Sequence, residues 1–155
     1  INVPKAVVVL HNHMPYTTSL TLLEDGKLQM VEQNALMFDE RIAYDTEYSG
    51  LALDVNEGDR IAHAMGECSI LMMANHGVTV TGLSVAMAFN DLYYLERAAM
   101  FQVLARSTGG QLRNIDPEVI ARTRTQFPQE MPKLAARHFT ALKRILDREE
   151  PQYRQ

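Results

Sequence analysis

The apolar run Ala6-Val7-Val8-Val9-Leu10, followed at once by His11-Asn12-His13, constrains this chain more than any other stretch. Its β-branched residues predict a strand, and a run apolar on both faces predicts a buried one with neighbours on both sides. Few convincing strands follow, and the chain opens at Ile1 without a methionine. We therefore expect preceding sequence to be missing, cleaved or carried elsewhere, with residues 1–155 as a single domain that lacks its N-terminal part.

In extended backbone, residues two apart project to the same side, so His11 and His13 can converge on one ion. His76 lies in the turn Asn75-His76-Gly77 between two further apolar runs, 69–73 and 78–81, where glycine lets backbone and ligand approach closely. Three neutral imidazoles at strand ends make an open site for a borderline cation such as Zn²⁺, with positions left for water or substrate. Spacing alone also admits surface or mutually hydrogen-bonded histidines. His63, on a short polar helix, reads as solvated. His138, four residues from both Leu134 and Leu142, reads as a core or interface histidine.

Composition closes off other classes. With 46% hydrophobic and 22% charged residues in a 155-residue chain, a packed core is affordable and disorder or collagen-like repeats are excluded. The 15 Lys and Arg against 19 Asp and Glu, a net charge of -4, form no basic stripe for nucleic acid or an acidic membrane surface. The single cysteine, Cys68, has no internal partner, and no apolar stretch is long enough to span a bilayer. We expect a cytoplasmic protein.

Along the chain, Pro15 predicts the first turn of a short helix through Leu23, ended by Glu24-Asp25-Gly26-Lys27, with a short strand over 27–31. Residues 33–50 hold no clean period and read as a functional loop with short pieces of structure. Asn56 as N-cap opens a short helix to Gly66, and Ser84 opens a long one through about Arg106, closed by Gly109-Gly110. Asp116-Pro117-Glu118 starts another helix, Pro132 a last one, and the tail from Pro151 is polar and frayed. The nine methionines serve as flexible core filler. Strands early and long helices late point to a mixed sheet covered by helices.

The two phrases Ala6-Val7-Val8-Val9-Leu10-His11-Asn12-His13-Met14-Pro15-Tyr16 and Met73-Ala74-Asn75-His76-Gly77-Val78-Thr79-Val80-Thr81-Gly82, followed by the long helix, resemble the class II aldolase/adducin family in wording, order and separation. That resemblance runs to about Gly110. It implies an α/β fold, a three-layer α/β/α sandwich around a central mixed, largely antiparallel sheet, assembled as a homotetramer with sites at subunit interfaces. It implies that His11, His13 and His76 are ligands of a divalent cation, most simply Zn²⁺, with Mn²⁺ or Fe²⁺ as alternatives. The cation would act as a Lewis acid on the carbonyl and hydroxyl of a small hydroxy-carbonyl substrate, stabilising the enediolate formed when a carbon–carbon bond breaks. The expected activity is a metal-dependent lyase of aldolase or decarboxylase type, with epimerase or dehydratase chemistry drawing on the same step.

The family's catalytic glutamate and phosphate-binding residues come from sequence upstream of the His-x-His strand, so the catalytic acid/base is unassigned here. The wording Val31-Glu32-Gln33-Asn34-Ala35-Leu36 resembles the adducin-like bacterial branch. Sugar-phosphate aldolases instead place a catalytic tyrosine from a neighbouring subunit in this region. Tyr44 and Tyr48 could supply a phenol or simply pack. Glu32, Asp45 and Glu47 read as solvated carboxylates without a role. On the long helix, Tyr93, Tyr94, Glu96 and Arg97 are either an oligomer contact or a solvated face. Two other functions stay open: a non-catalytic interaction module like the adducin head, and an iron-dependent oxygenase on the same fold.

Overall fold

The structure, a computed structural model, describes residues 6–48, 50 and 55–154. The opening at Ile1, and Ser49 at the end of the expected loop, lie outside the described residues. In chain order the elements are β1 (Val8–Asn12), α1 (Pro15–Thr21), a 3-10 turn (Ala35–Phe38) and β2 (Ile42–Asp45). They continue with α2 (Val55–Met65), β3 (Ile70–Met73), β4 (Gly77–Gly82), α3 (Val85–Ser107), α4 (Pro117–Glu149) and a closing 3-10 turn (Pro151–Arg154). The four strands form one sheet in the order β1-β4-β3-β2. β4 runs antiparallel to both β1 and β3, while β2 is parallel to β3.

Alternation along the strands sorts side chains onto two faces. Ile70, Met72, Val78 and Val80 point into the main core, joined by Val8, Leu10, Ile42 and Tyr44 and closed by Leu20, Phe38, Leu95 and Ala99. Leu71 and Met73 point the other way, onto Met65, Ile61 and Ala64 of α2. Helices therefore cover both faces, α1 and α3 on one and α2 on the other, with α4 packed outside α3. This is the expected α/β/α sandwich around a mixed, largely antiparallel sheet.

Local signals explain several boundaries. The Ser84 hydroxyl accepts the Met87 N–H at 3.2 Å, and the Asp116 carboxylate accepts that of Glu118 at 2.8 Å, each satisfying a donor that a helix start leaves orphaned. α2 begins at Val55, one residue before the expected cap Asn56, a difference within ordinary fraying. At Gly82 an added Cβ would lie 3.0 Å from the Ala88 backbone nitrogen, so glycine is what lets α3 sit this close to β4.

Two expectations are corrected, and two others take a definite structural form. The strand over 27–31 does not form, because side chains take over its backbone groups. The Leu28 N–H donates to the Tyr44 hydroxyl at 3.2 Å, the Gln29 N–H to Gln102 Oε1 at 2.7 Å, and Gln102 Nε2 to the Lys27 carbonyl at 2.9 Å. The short pieces of structure expected within 33–50 are the 3-10 turn Ala35–Phe38 and β2, whose period of two is masked because both of its faces are covered. The two helices expected from Asp116 and Pro132 are one, α4, with Pro128 and Pro132 inside it. Each proline removes one N–H from the ladder, but Phe127, Met131 and Ala135 packed inward hold the helix together. Finally, β1 pairs with β4 alone among the described residues, and its Val9 is 46% exposed.

Leu95 of α3 is fully buried, whereas Leu104 on the same helix is 50% exposed. Leu95→Ala should cost about 2–5 kcal/mol through the cavity it leaves, and Leu104→Ala should change stability by less than about 0.5 kcal/mol. Urea unfolding followed by circular dichroism reads both.

Candidate metal centre

The antiparallel pairing of β1 with β4 sets His11 opposite Thr79 and Asn12 opposite Val78. The ladder ends there, and His13 emerges beside Gly77, the first residue of β4. The chain reaches β4 through a tight reversal in which Asn75 takes a left-handed φ of 55°, a conformation asparagine tolerates better than most residues. That reversal swings His76 back over the end of β1. The outcome is a triangle of imidazoles with ring centroids 5.0 Å apart for His11 and His13, 4.9 Å for His11 and His76, and 4.8 Å for His13 and His76.

One nitrogen from each ring lies within 4.8 Å of the others, an arrangement that could hold a metal ion. His11 Nε2 and His13 Nε2 are 3.1 Å apart. Two nitrogens sharing one tetrahedral Zn²⁺ at about 2.0–2.1 Å would be separated by roughly 3.3–3.4 Å, so the pair needs almost no rearrangement. The other nitrogen of His11, Nδ1, is 3.3 Å from the Thr79 hydroxyl, which orients the ring and leaves Nε2 facing its neighbours. The donor set of three imidazoles suits a borderline cation, and it faces outward, with His11 and His13 exposed and His76 half-buried.

At His11 and His76 the surroundings favour the neutral, ligating form. Partial burial of the ring is the main cause that lowers the His11 pKa, and the adjacent His76 and His13 lower it further. His76 is lowered by burial first and by His13 second, against an opposing pull from the Glu57 carboxylate. Imidazoles that resist protonation are those a cation can use.

The other two histidines, expected to be solvated and packed respectively, and Tyr44, expected either to supply a phenol or to pack, stand apart from the centre. His63 is exposed on α2. His138 lies against Tyr93, its ring centroid 4.7 Å away, with Nδ1 3.0 Å from Asn90 Oδ1, as a satisfied interface histidine would. Tyr44 packs in the core, where burial raises its pKa. Tyr48 does approach the centre, its ring 6.2 Å from that of His76 and 54% exposed. Glu32 spends its carboxylate on the N–H groups of Asn34 and Ala35, and Glu47 is exposed. A separate cavity of about 430 Å³ at the other end of the sheet contains none of the three histidines, and its charges are spent on one another, Arg41 on Asp91 and Arg124 on Asp39 and Glu40.

The sequence did not reveal the support of the centre. Asp45 is buried, not solvated, and is held bidentately by Arg60 at 2.9 and 2.7 Å, while Arg60 also takes Glu57 at 2.9 and 3.0 Å. The Asp45 carbonyl accepts the Ala74 N–H at 2.8 Å, which ties the turn bearing His76 to β2. Only the Glu57–Arg60 spacing on a helix carries a sequence signal for this network.

Similarity to known proteins agrees with that geometry. Residues 1–103 match the model of the class II aldolase and adducin N-terminal domain. The chain belongs to the class II aldolase and adducin family. Within that family, a Caulobacter vibrioides protein assigned to the class 2 aldolases is 31% identical over 146 residues, 94% of this chain and 56% of its own length. Human beta-adducin is 30% identical over 159 residues, 93% of this chain but 21% of its own. The crystal structure of an aldolase II superfamily protein from Pseudomonas syringae superposes with a TM-score of 0.88 at 34% identity, over 97% of this chain and 60% of that one. The chain thus spans little more than half the length of the aldolase-type relatives. Among its described residues no helix is long and apolar enough to cross a membrane.

A Cβ added at Gly77 would sit 2.6 Å from the Asn12 carbonyl oxygen and 2.7 Å from His13 Cδ2, whereas one added at Gly58 of α2 meets nothing within 4 Å. Gly77→Ala should therefore push β1 and His13 away from the turn and weaken Zn²⁺ binding by about tenfold or more, on the scale of losing a supporting contact. Gly58→Ala should leave binding unchanged. Titration calorimetry with Zn²⁺ on both variants is the measurement.

Proposed function

We propose that this chain carries the metal-holding part of a lyase that cleaves a carbon–carbon bond in a small hydroxy-carbonyl substrate, with His11, His13 and His76 as the cation's protein ligands. The observation that carries the reading is the convergence of these imidazoles, from a strand end and a turn 63 residues further on, with nitrogens within 4.8 Å. A structural or docking role requires no such convergence of neutral donors. A divalent cation bound there, zinc in first preference, would supply a Lewis acid that polarises a carbonyl and neutralises the charge developing as the bond breaks.

The chain's own residues do the rest of what can be assigned. His11 is fixed by the sheet and by Thr79. His13, exposed, and His76, half-buried, complete the triangle, whose exposed side would be left to a substrate. The Asp45–Arg60–Glu57 network holds its charges internally, so it braces the turn and does not offer a cation to an anionic substrate. The proposed acid/base and substrate-specificity groups lie in the further length that the relatives possess. We propose a homotetramer with sites between subunits, residues 1–155 forming part of a single domain.

A second reading, an adducin-like interaction module, is favoured by the identity to human beta-adducin, which matches that to the Caulobacter protein. Elemental mass spectrometry on the purified protein separates the two. About one Zn or Mn per chain, lost in His11→Ala, with His76→Ala abolishing turnover of hydroxy-carbonyl substrates but not oligomerisation, is the expected result. Iron with oxygen uptake would replace the lyase by an oxygenase. A folded protein that takes up no metal when it is added would leave the interaction module.

A further inference from the structure

α1 follows His13 after a single intervening residue, yet nothing in its own sequence caps it. Met14 at the N-cap makes no side-chain hydrogen bond, and the first turn carries no acidic residue. The donors that a helix start leaves orphaned go instead to one side chain from the middle of α3. Glu96 Oε1 accepts the Tyr16 N–H at 2.8 Å, and Oε2 accepts the Thr17 N–H at 2.8 Å and the Thr17 hydroxyl at 2.6 Å. Charge-assisted bonds of this kind are about twice as strong as neutral ones, and a carboxylate at a helix N-terminus is further favoured by the helix dipole.

The far end of α1 is also tied to the centre. The Thr21 carbonyl accepts the Asn75 N–H at 3.0 Å, immediately before His76. α1 is thus a strut of 7 residues with the chain segment carrying His13 at one end and the turn carrying His76 at the other. His11 is different, since it sits within the β1–β4 ladder and is oriented by Thr79, whereas His13 lies beyond the last ladder pair.

We infer that Glu96 is a positioning residue of the three-histidine centre, acting through α1 to hold His13 and His76, but not His11, in their mutual geometry. This rests on the metal reading above for its consequence, though not for its geometry. The family resemblance assigns Glu96 nothing. Its placement three residues beyond Tyr93 on a helix otherwise read as an oligomer contact or solvated face hides what its carboxylate does.

The test compares the full protein with Glu96→Ala and Glu96→Gln, and with Gln102→Ala as a control. Gln102 is a buried α3 side chain with two bonds to a loop, at 2.7 and 2.9 Å, but that loop carries no histidine. Two readouts are taken: the imidazole ¹H–¹⁵N resonances of each histidine without metal, and the affinity for Co²⁺ with its visible spectrum. In Glu96→Ala the His13 and His76 resonances should move while His11 stays, the Co²⁺ band should change, and Kd should rise about 10- to 100-fold, as for other residues that orient metal ligands. Glu96→Gln, which keeps an oxygen acceptor, should fall between. Gln102→Ala should lose stability with none of these changes. If His13, His76 and the Co²⁺ affinity are unchanged in the folded Glu96 variants, the inference is overturned, and Glu96→Gln alone decides it should Glu96→Ala not fold. If the parent protein takes up no Co²⁺, the lyase reading fails, and the metal-free resonances still decide the role of Glu96.

Discussion

The register of one antiparallel strand pair governs this structure. With His11 opposite Thr79 and Asn12 opposite Val78, the apolar Val8 and Leu10 face the α1/α3 core and the histidine faces away from it. A slip of one residue would exchange the faces, burying an imidazole in the core and exposing Leu10. Hydrophobic burial in the core and imidazole placement outside it are therefore one requirement, not two. The same pairing explains the glycine at 77, since the exit of β1 passes so close to the start of β4 that a side chain there would collide with the Asn12 carbonyl.

α3 does a second kind of organising. It presents several polar groups inward, where a solvated helix would be expected to turn them out. Asn90, Asp91 and Gln102 are buried, and with Glu96 they reach His138, Arg41, the 27–29 loop and α1 respectively. Irregular backbone beside a core must find partners for its N–H and C=O groups, and here a helix's side chains provide them. The loop between α1 and the 3-10 turn is thereby kept ordered without being a strand.

What was legible in the sequence follows from this. The histidines stand at strand ends whose apolar runs and period of two are local, and Ser84 and Asp116 announce their helices through bonds only three and two residues long. The Asp45–Arg60 pairing and the role of Glu96 are opaque, because these partners are 15 to 80 residues apart and each residue alone looks like a solvated charge. β2 escaped notice because a strand covered on both faces loses its alternation. The sequence divides α4 in two because proline is a local breaker, whereas the packing of Phe127, Met131 and Ala135 that overrides it is tertiary.

The triangle also bears on folding itself. In an unfolded chain His11 and His13 remain neighbours, but His76 joins them only when β1 has found β4 and the Asn75 turn has closed. A cation that needs all three is thus a ligand of the native state alone. At a free concentration of 100 times its Kd it would add about 2.7 kcal/mol to stability, a sizeable addition to the roughly 5–15 kcal/mol by which domains generally stay folded. Metal supply would then shift the stability of the folded chain as well as the occupancy of its centre.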